Sequence, residues 1–268
     1  MKLAIHHDTT YRYADRVRAS IQYLRLTPQD SARQRVLDWQ LELPQAAHAQ
    51  RDGHGNILHV LTLDEPHQAI VIGAHGHVEI DERCESESDS ASPLPYLRST
   101  ALTAADRALR EFALGCCGER RDRAALIVLM AQLYRRMPFT PGVTQVETSA
   151  AEAFALGLGV CQDHTHVFLA CARSLGVPAR YVSGYLCSAD SSQLASHAWA
   201  EAWIDGAWYS FDVTNQLARP ERHLKLAVGL DYLDACPVRG MRRGGQEQMH
   251  ALVQEAPLLQ NQLPGQQQ

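Results

Sequence analysis

The first eighty residues alternate between apolar and polar positions. Ile5, His7, Thr9, Tyr11 and Tyr13 share one parity, and a run ending Tyr23-Leu24-Arg25-Leu26-Thr27 stops at Pro28. Val36 to Leu43, Ile57 to Leu63 and Val71 to Ile80 alternate again, and Asp52-Gly53-His54-Gly55-Asn56 reads as a turn between two of these runs. A period of two sends successive side chains to opposite faces, so residues 1–82 predict a β-rich, sandwich-like domain. Glu, Asp, Ser and Pro then crowd around Cys84, and residues 83–99 read as a linker. Beyond it the period lengthens. Thr103-x-x-Asp106 opens a helix to about Leu114, a second runs from Arg123 to Arg136, and a short third spans Ser149 to Leu156 after a loop from Phe139. Cys161, His164, Phe168, Cys171 and Leu175 then mark one face of a fourth helix, stopped by Gly176 and Pro178. An α+β fold follows, with a core at 100–245. Residues 246–268 hold one weak alternation (Met249, Ala251, Val253) and a Gln-rich end expected to be disordered.

Composition narrows the function. A net charge of -5 gives no broad basic field for a phosphate backbone, which argues against nucleic acid and leaves only a local patch at Arg239, Arg242 and Arg243. The opening Met1-Lys2-Leu3-Ala4-Ile5-His6 lacks a secretory apolar stretch, and the longest apolar run, Ala124 to Ala131, is too short to span a bilayer. A cytoplasmic protein without a membrane partner is the expectation. Seven irregularly spaced cysteines fit reduced thiols better than a disulfide framework. Eight N-terminal histidines (6, 7, 48, 54, 59, 67, 75, 77) invite a metal reading, but no C-x2-C or H-x3-H pair recurs among them. Neither a metal nor a cofactor is expected.

The chemistry concentrates between Cys161 and Asn215. Cys161 falls in the first turn of its helix, where unpaired N–H groups and the positive end of the macrodipole favour a thiolate and can hold an oxyanion. A lone cysteine is more simply a core residue, a reading that suits Cys171 better. A nucleophilic thiol also needs a base and an orienting group. Both lie in Ser196 to Asn215, where two alternating runs flank Asp205-Gly206, a strong hairpin signal. In a two-residue loop Ile204 pairs with Ala207, Trp199 faces Asp212, and His197 shares a sheet face with Asp212 as its diagonal neighbour. A three-residue loop would turn Asp212 to the other face. Glu201 shares the face of His197 and competes as orienter. Ala198, Ala200 and Ala202 leave the opposite face open to close helix packing. His197-x-x-x-Glu201 has metalloprotease spacing, but that spacing works on a helix and here it lies in a strand pattern.

The motifs Gly157-x-Gly-Val-Cys161-Gln-Asp163-x-x-His166, Arg173-Ser-Leu-Gly-Val-Pro-Ala-Arg-Tyr-Val-Ser-Gly-Tyr185, Ser196-His197-Ala-Trp199 and Phe211-Asp212-x-Thr-Asn215 resemble the bacterial transglutaminase-like family, described as candidate cysteine proteases. The likeness extends through Phe139 to Thr144, Val228 to Tyr232 and Pro237 to Gly240, and Ile5 to Pro28 is similar to the family's β-rich N-terminal region. The resemblance implies a papain-like core with a nucleophile helix packed on an antiparallel sheet, Cys161 as nucleophile, His197 as base and Asp212 as orienter. Asp163, His164, His166, Trp199 and Glu201 stand as substrate or supporting positions. His164 replaces a usual aromatic and would bring an imidazole near Cys161, open to perturbing the thiol or joining a metal with it and His197. Leu194 and Leu230 replace a usual Asp and Arg and would weaken substrate contacts, and Val213 replaces a frequent Pro. The expected reaction is cleavage of a peptide or side-chain amide through a thioester. Transfer to an amine and a silent peptide-binding module are the alternatives.

Overall fold

The computed structural model describes residues 1–88, 91–187, 194–243 and 247–255. Six strands come first: β1 (Lys2–Val17), β2 (Ala19–Leu24), β3 (Gln34–Glu42), β4 (His48–Arg51), β5 (Ile57–Leu63) and β6 (His67–Ile80). The short β7 (Ser86–Glu87) leads into helices α1 (Arg107–Cys117), α2 (Arg123–Arg136), α3 (Ala150–Leu156) and α4 (Cys161–Ser174). Four strands follow, β8 (Ala179–Cys187), β9 (Leu194–Ile204), β10 (Ala207–Phe211) and β11 (His223–Gly229), then the one-turn α5 (Tyr232–Ala235), β12 (Val238–Arg243) and β13 (Glu247–Glu255).

The alternation of the N-terminal half is realised as two facing four-stranded sheets, ordered β13-β1-β6-β3 and β12-β2-β5-β4. Ile5, His7, Thr9, Tyr11 and Tyr13, the shared parity, are all buried. Leu3, Leu24, Leu61, Ile70, Ile72 and Val78 fill the space between the sheets, and the same cluster runs on into Tyr185 and Cys187 of β8 and Leu224 and Leu226 of β11. The sandwich and the second half therefore share a core.

That second half is a five-stranded antiparallel sheet, β11-β8-β9-β10-β7, with the helices packed on one face. The small side chains of Ala198, Ala200 and Ala202 admit α4, whose Val167, Phe168 and Cys171 pack in the same cluster. Local signals start the helices: Asp106 and Asp122 accept the N–H of Leu109 and Ala125, and Ser149 with Glu152 forms a reciprocal capping box.

Three boundaries differ from the sequence expectation. Residues 83–99 are not a bare linker, since β7 pairs with β10 and a 3-10 turn at Leu94–Leu97 buries Tyr96 against Trp208. Their polar composition hides the pairing because Glu87 is neutralised by Lys225. Val238 to Arg243, assigned to the core, instead pairs with β2, and β13 pairs with β1. Hydrogen bonding along open sheet edges draws both strands back to the sandwich. The Gln-rich end lies outside the described residues.

Candidate active site

Cys161 is the first residue of α4. Val160 before it offers no side-chain oxygen to cap the first-turn N–H groups, and the carboxylate of Asp163 reaches back to accept the Val160 N–H at 2.8 Å and the Thr144 hydroxyl at 2.7 Å. Thr140 N–H donates to Gly159 and Gln162 to the Val146 carbonyl, so the Phe139–Thr148 loop straps the start of the helix. The first turn is held from outside while its own donors stay available.

His197 and Asp212 come from the hairpin. Asp205 and Gly206 have φ of 50° and 85°, as a two-residue turn requires, and Ile204 pairs with Ala207 through to Ala200 with Phe211. This register sets the two side chains on one face, and His197 Nε2 lies 2.7 Å from Asp212 Oδ2. Cys161 and His197 line the same cavity, and Cys161 favours the charged form of His197. With Nε2 committed to Asp212, Nδ1 is the nitrogen left for sulfur. Trp199 lies nearly parallel to the His197 ring at 6.1 Å and fixes its plane.

Asp212 is held by more than His197. His223 Nε2 lies 2.9 Å and Asn215 Nδ2 2.8 Å from the same Oδ2, and the Asn215 N–H donates to Oδ1. Burial would raise the Asp212 carboxyl, but hydrogen bonds from His197 and His223 overrule it and hold the group far below the usual carboxylate range. Burial would lower His197, yet the hydrogen bond to Asp212 and the neighbouring Cys161 push it up to about 9, so it is an imidazolium at neutral pH. Burial lowers His223, which stays neutral.

His223 escaped the sequence reading because it arrives on β11, whose alternating run from 223 to 229 is a strand signal without a motif. It is placed from far away in sequence. Arg33 donates to the carbonyls of Pro220, Glu221 and His223, Gln34 exchanges two bonds with Lys225, and Asn56 exchanges two with Val228. The turn at Asp52 to Asn56 is thus a clamp on β11.

The remaining expected positions divide. His164 is not a neighbour of the thiol in function: its Nδ1 binds Thr214 Oγ1 at 2.9 Å and its Nε2 the Met137 carbonyl at 2.8 Å, and burial lowers its pKa. It ties α4 to the turn after Asp212, and a metal set of Cys161, His164 and His197 is not assembled. His166 accepts the Tyr232 N–H, with burial holding it down to about 3. Glu201 does not compete with Asp212, because its carboxylate is paired with Arg180 and Lys225, each at 2.7 Å. Leu230 packs with Tyr96 and Trp208 in the core rather than against substrate space, and Val213 is buried. The Leu194 side chain lies outside the described residues. His197, Asp212 and His223 are close enough to hold a metal, but both Nε2 atoms sit at hydrogen-bond distance from one oxygen, which is the geometry of a carboxylate with two imidazole donors.

A cavity of about 360 Å³ opens at Cys161 and His197. Tyr181, Ala198 and Tyr232 line it from the core, His7, Thr9 and Tyr11 from β1, and Val238 from β12. The His7 ring is set by Tyr185 and Thr9. The N-terminal half therefore forms a wall of the site.

A helix-borne cysteine facing a histidine and a carboxylate on an antiparallel sheet defines a transglutaminase-like core. Residues 110–213 match the model of the transglutaminase-like superfamily and residues 3–79 that of the bacterial transglutaminase-like N-terminal region. The chain therefore carries a transglutaminase-like superfamily segment preceded by that N-terminal region. It is similar in fold to the crystal structure of a candidate cysteine protease from Cytophaga hutchinsonii, with a TM-score of 0.78 and 23% identity over 96% of this chain and 91% of that one. It is 29% identical to an uncharacterized protein of Mycobacterium leprae, covering 91% of this chain and 94% of the relative. An uncharacterized protein of Mycobacterium tuberculosis is also 29% identical, over 88% and 86%.

Proposed function

We propose that this chain hydrolyses peptide or side-chain amide bonds through a thioester on Cys161. The observation that carries the reading is that Cys161 and His197 line one cavity while His197 Nε2 is held 2.7 Å from the Asp212 carboxylate. Cys161 sulfur attacks the amide carbonyl, and the uncapped first-turn N–H groups of α4 receive the oxyanion. As the C–N bond breaks, the imidazolium of His197 passes its Nδ1 proton to the leaving amine. The thioester remains. His197, now neutral, takes a proton from water, which attacks the thioester and releases the acid and the Cys161 thiolate, restoring the imidazolium. Asp212 keeps the imidazole in one tautomer and offsets its charge throughout. Seven free cysteines accord with a cytoplasmic setting.

The test is mass spectrometry of Cys161 after exposure to a peptide library, with and without a primary amine. A mass added on Cys161 and cleaved peptides in both arms support hydrolysis, whereas products that carry the amine move the assignment to transamidation. Cleavage that persists in Cys161→Ala sinks the reading. Binding without any adduct or cleavage points to a silent peptide-binding module.

A further inference from the structure

On the outer face of the sandwich, four potential metal ligands converge from three strands. His6 and His75 are directly opposed across β1 and β6, Asp8 is opposed to Gly73, and Glu42 of β3 is opposed to Gly73 from the other side. The four side chains therefore ring one position, and that position is a glycine. A Cβ at Gly73 would stand 2.6 Å from His75 Nε2 and 3.1 Å from Asp8 Oδ1, so the space above it is needed by the donors.

The spacings decide between a hydrogen-bonded cluster and a cation site. His6 Nε2 lies 2.9 Å from Asp8 Oδ2, while His75 Nε2 sits between two carboxylates at 3.6 Å from Asp8 Oδ1 and 3.7 Å from Glu42 Oε2. The last two are too long for hydrogen bonds. Ligands on one tetrahedral zinc, with bonds of about 2.0–2.1 Å, lie about 3.4 Å apart, and these separations straddle that value. The ligand atoms of His6, Asp8 and His75 all fall within 4.8 Å of one another. Two imidazoles and the Asp8 carboxylate, with the Glu42 carboxylate alongside, suit a divalent ion, and the paired imidazoles favour zinc, cobalt or nickel over magnesium or calcium.

We propose that His6, Asp8 and His75 bind one divalent transition-metal ion that cross-links β1 and β6, with Glu42 of β3 beside it as a partner of His75. The site stands back to back with the catalytic cavity, since the odd residues of β1 line that cavity and the even ones bind the ion. It escapes a spacing search because 69 residues separate the two histidines, and only the β1–β6 register brings them together.

Titration with Co²⁺ followed by its visible absorption tests the site. Full-length Cys161→Ala protein is used, so that no thiolate at the catalytic centre contributes. One equivalent should bind, with the intense visible bands of four-coordinate cobalt and without a sulfur-to-cobalt charge-transfer band. His6→Gln and His75→Gln should each weaken binding at least tenfold, Glu42→Gln less, and His223→Phe not at all. His6 is half-exposed, so His6→Gln keeps the test intact if His75→Gln folds poorly. Binding unchanged in His6→Gln, binding lost in His223→Phe, or no cobalt uptake at micromolar concentrations would overturn the proposal.

Discussion

The helix-bearing half and the β-sandwich contribute to the site in different ways. The first supplies the reacting groups from two short segments, the start of α4 and one hairpin. The sandwich touches the cavity with β1 and β12 and otherwise works through polar bonds to β11 and the residues just before it, from partners about 190 residues away in sequence. Chemistry here is local in the chain, and the rigidity that serves it is not.

Substitutions in the two halves should separate these contributions. The largest effect is expected in the first. Asp212→Asn should lower kcat about ten-thousand-fold by releasing the His197 tautomer. It should also shift the pH profile. Because His197 is raised to about 9 in the fold, its proton is available below that value and amide cleavage in the parent should fall as pH rises through about 9. The linked stability has the same sign: it is fully present below about 6.5 and is lost as pH rises through about 9. In Asp212→Asn the falling limb should move toward about 6.5. An unmoved limb would assign it to another group.

Arg33→Ala comes next and acts from the sandwich. It strands three carbonyls, two of them buried, and should cost about 3 kcal/mol in urea unfolding, with alkylation of Cys161 at matched folded fraction nearly unchanged. A full loss of alkylation in folded protein would mean that the two halves are not separable. His223→Phe should reduce kcat about tenfold, the worth of one hydrogen bond to a buried carboxylate, with KM unchanged. The smallest effect is expected for His7→Phe in the cavity wall, where KM should change about fivefold and kcat hardly at all.

The same contrast explains what could be read from the sequence. Cys161 was legible because a helix face and its glycine stop are written within fifteen residues, and His197 with Asp212 because Asp205-Gly206 fixes a two-residue turn. Glu201 and His164 look eligible in sequence, and their true partners, Arg180, Lys225, Thr214 and Met137, belong to other elements. His223 carries no local mark. Its value arises only when β11 pairs with β8 and Arg33 pins its approach. The return of Val238 to Arg243 to the sandwich was illegible for the same reason, since six residues of edge strand do not name their neighbour.

That return has a consequence for how the molecule is made. Both sheets of the sandwich wait with an open edge while every residue of the catalytic core is synthesised, and each receives its outer strand only from the segments that follow. Val238, which closes one side of the cavity, arrives with them. A nascent chain can therefore assemble its cysteine, histidine and aspartate before it owns a finished cavity, and completion of that cavity is timed by the late strands.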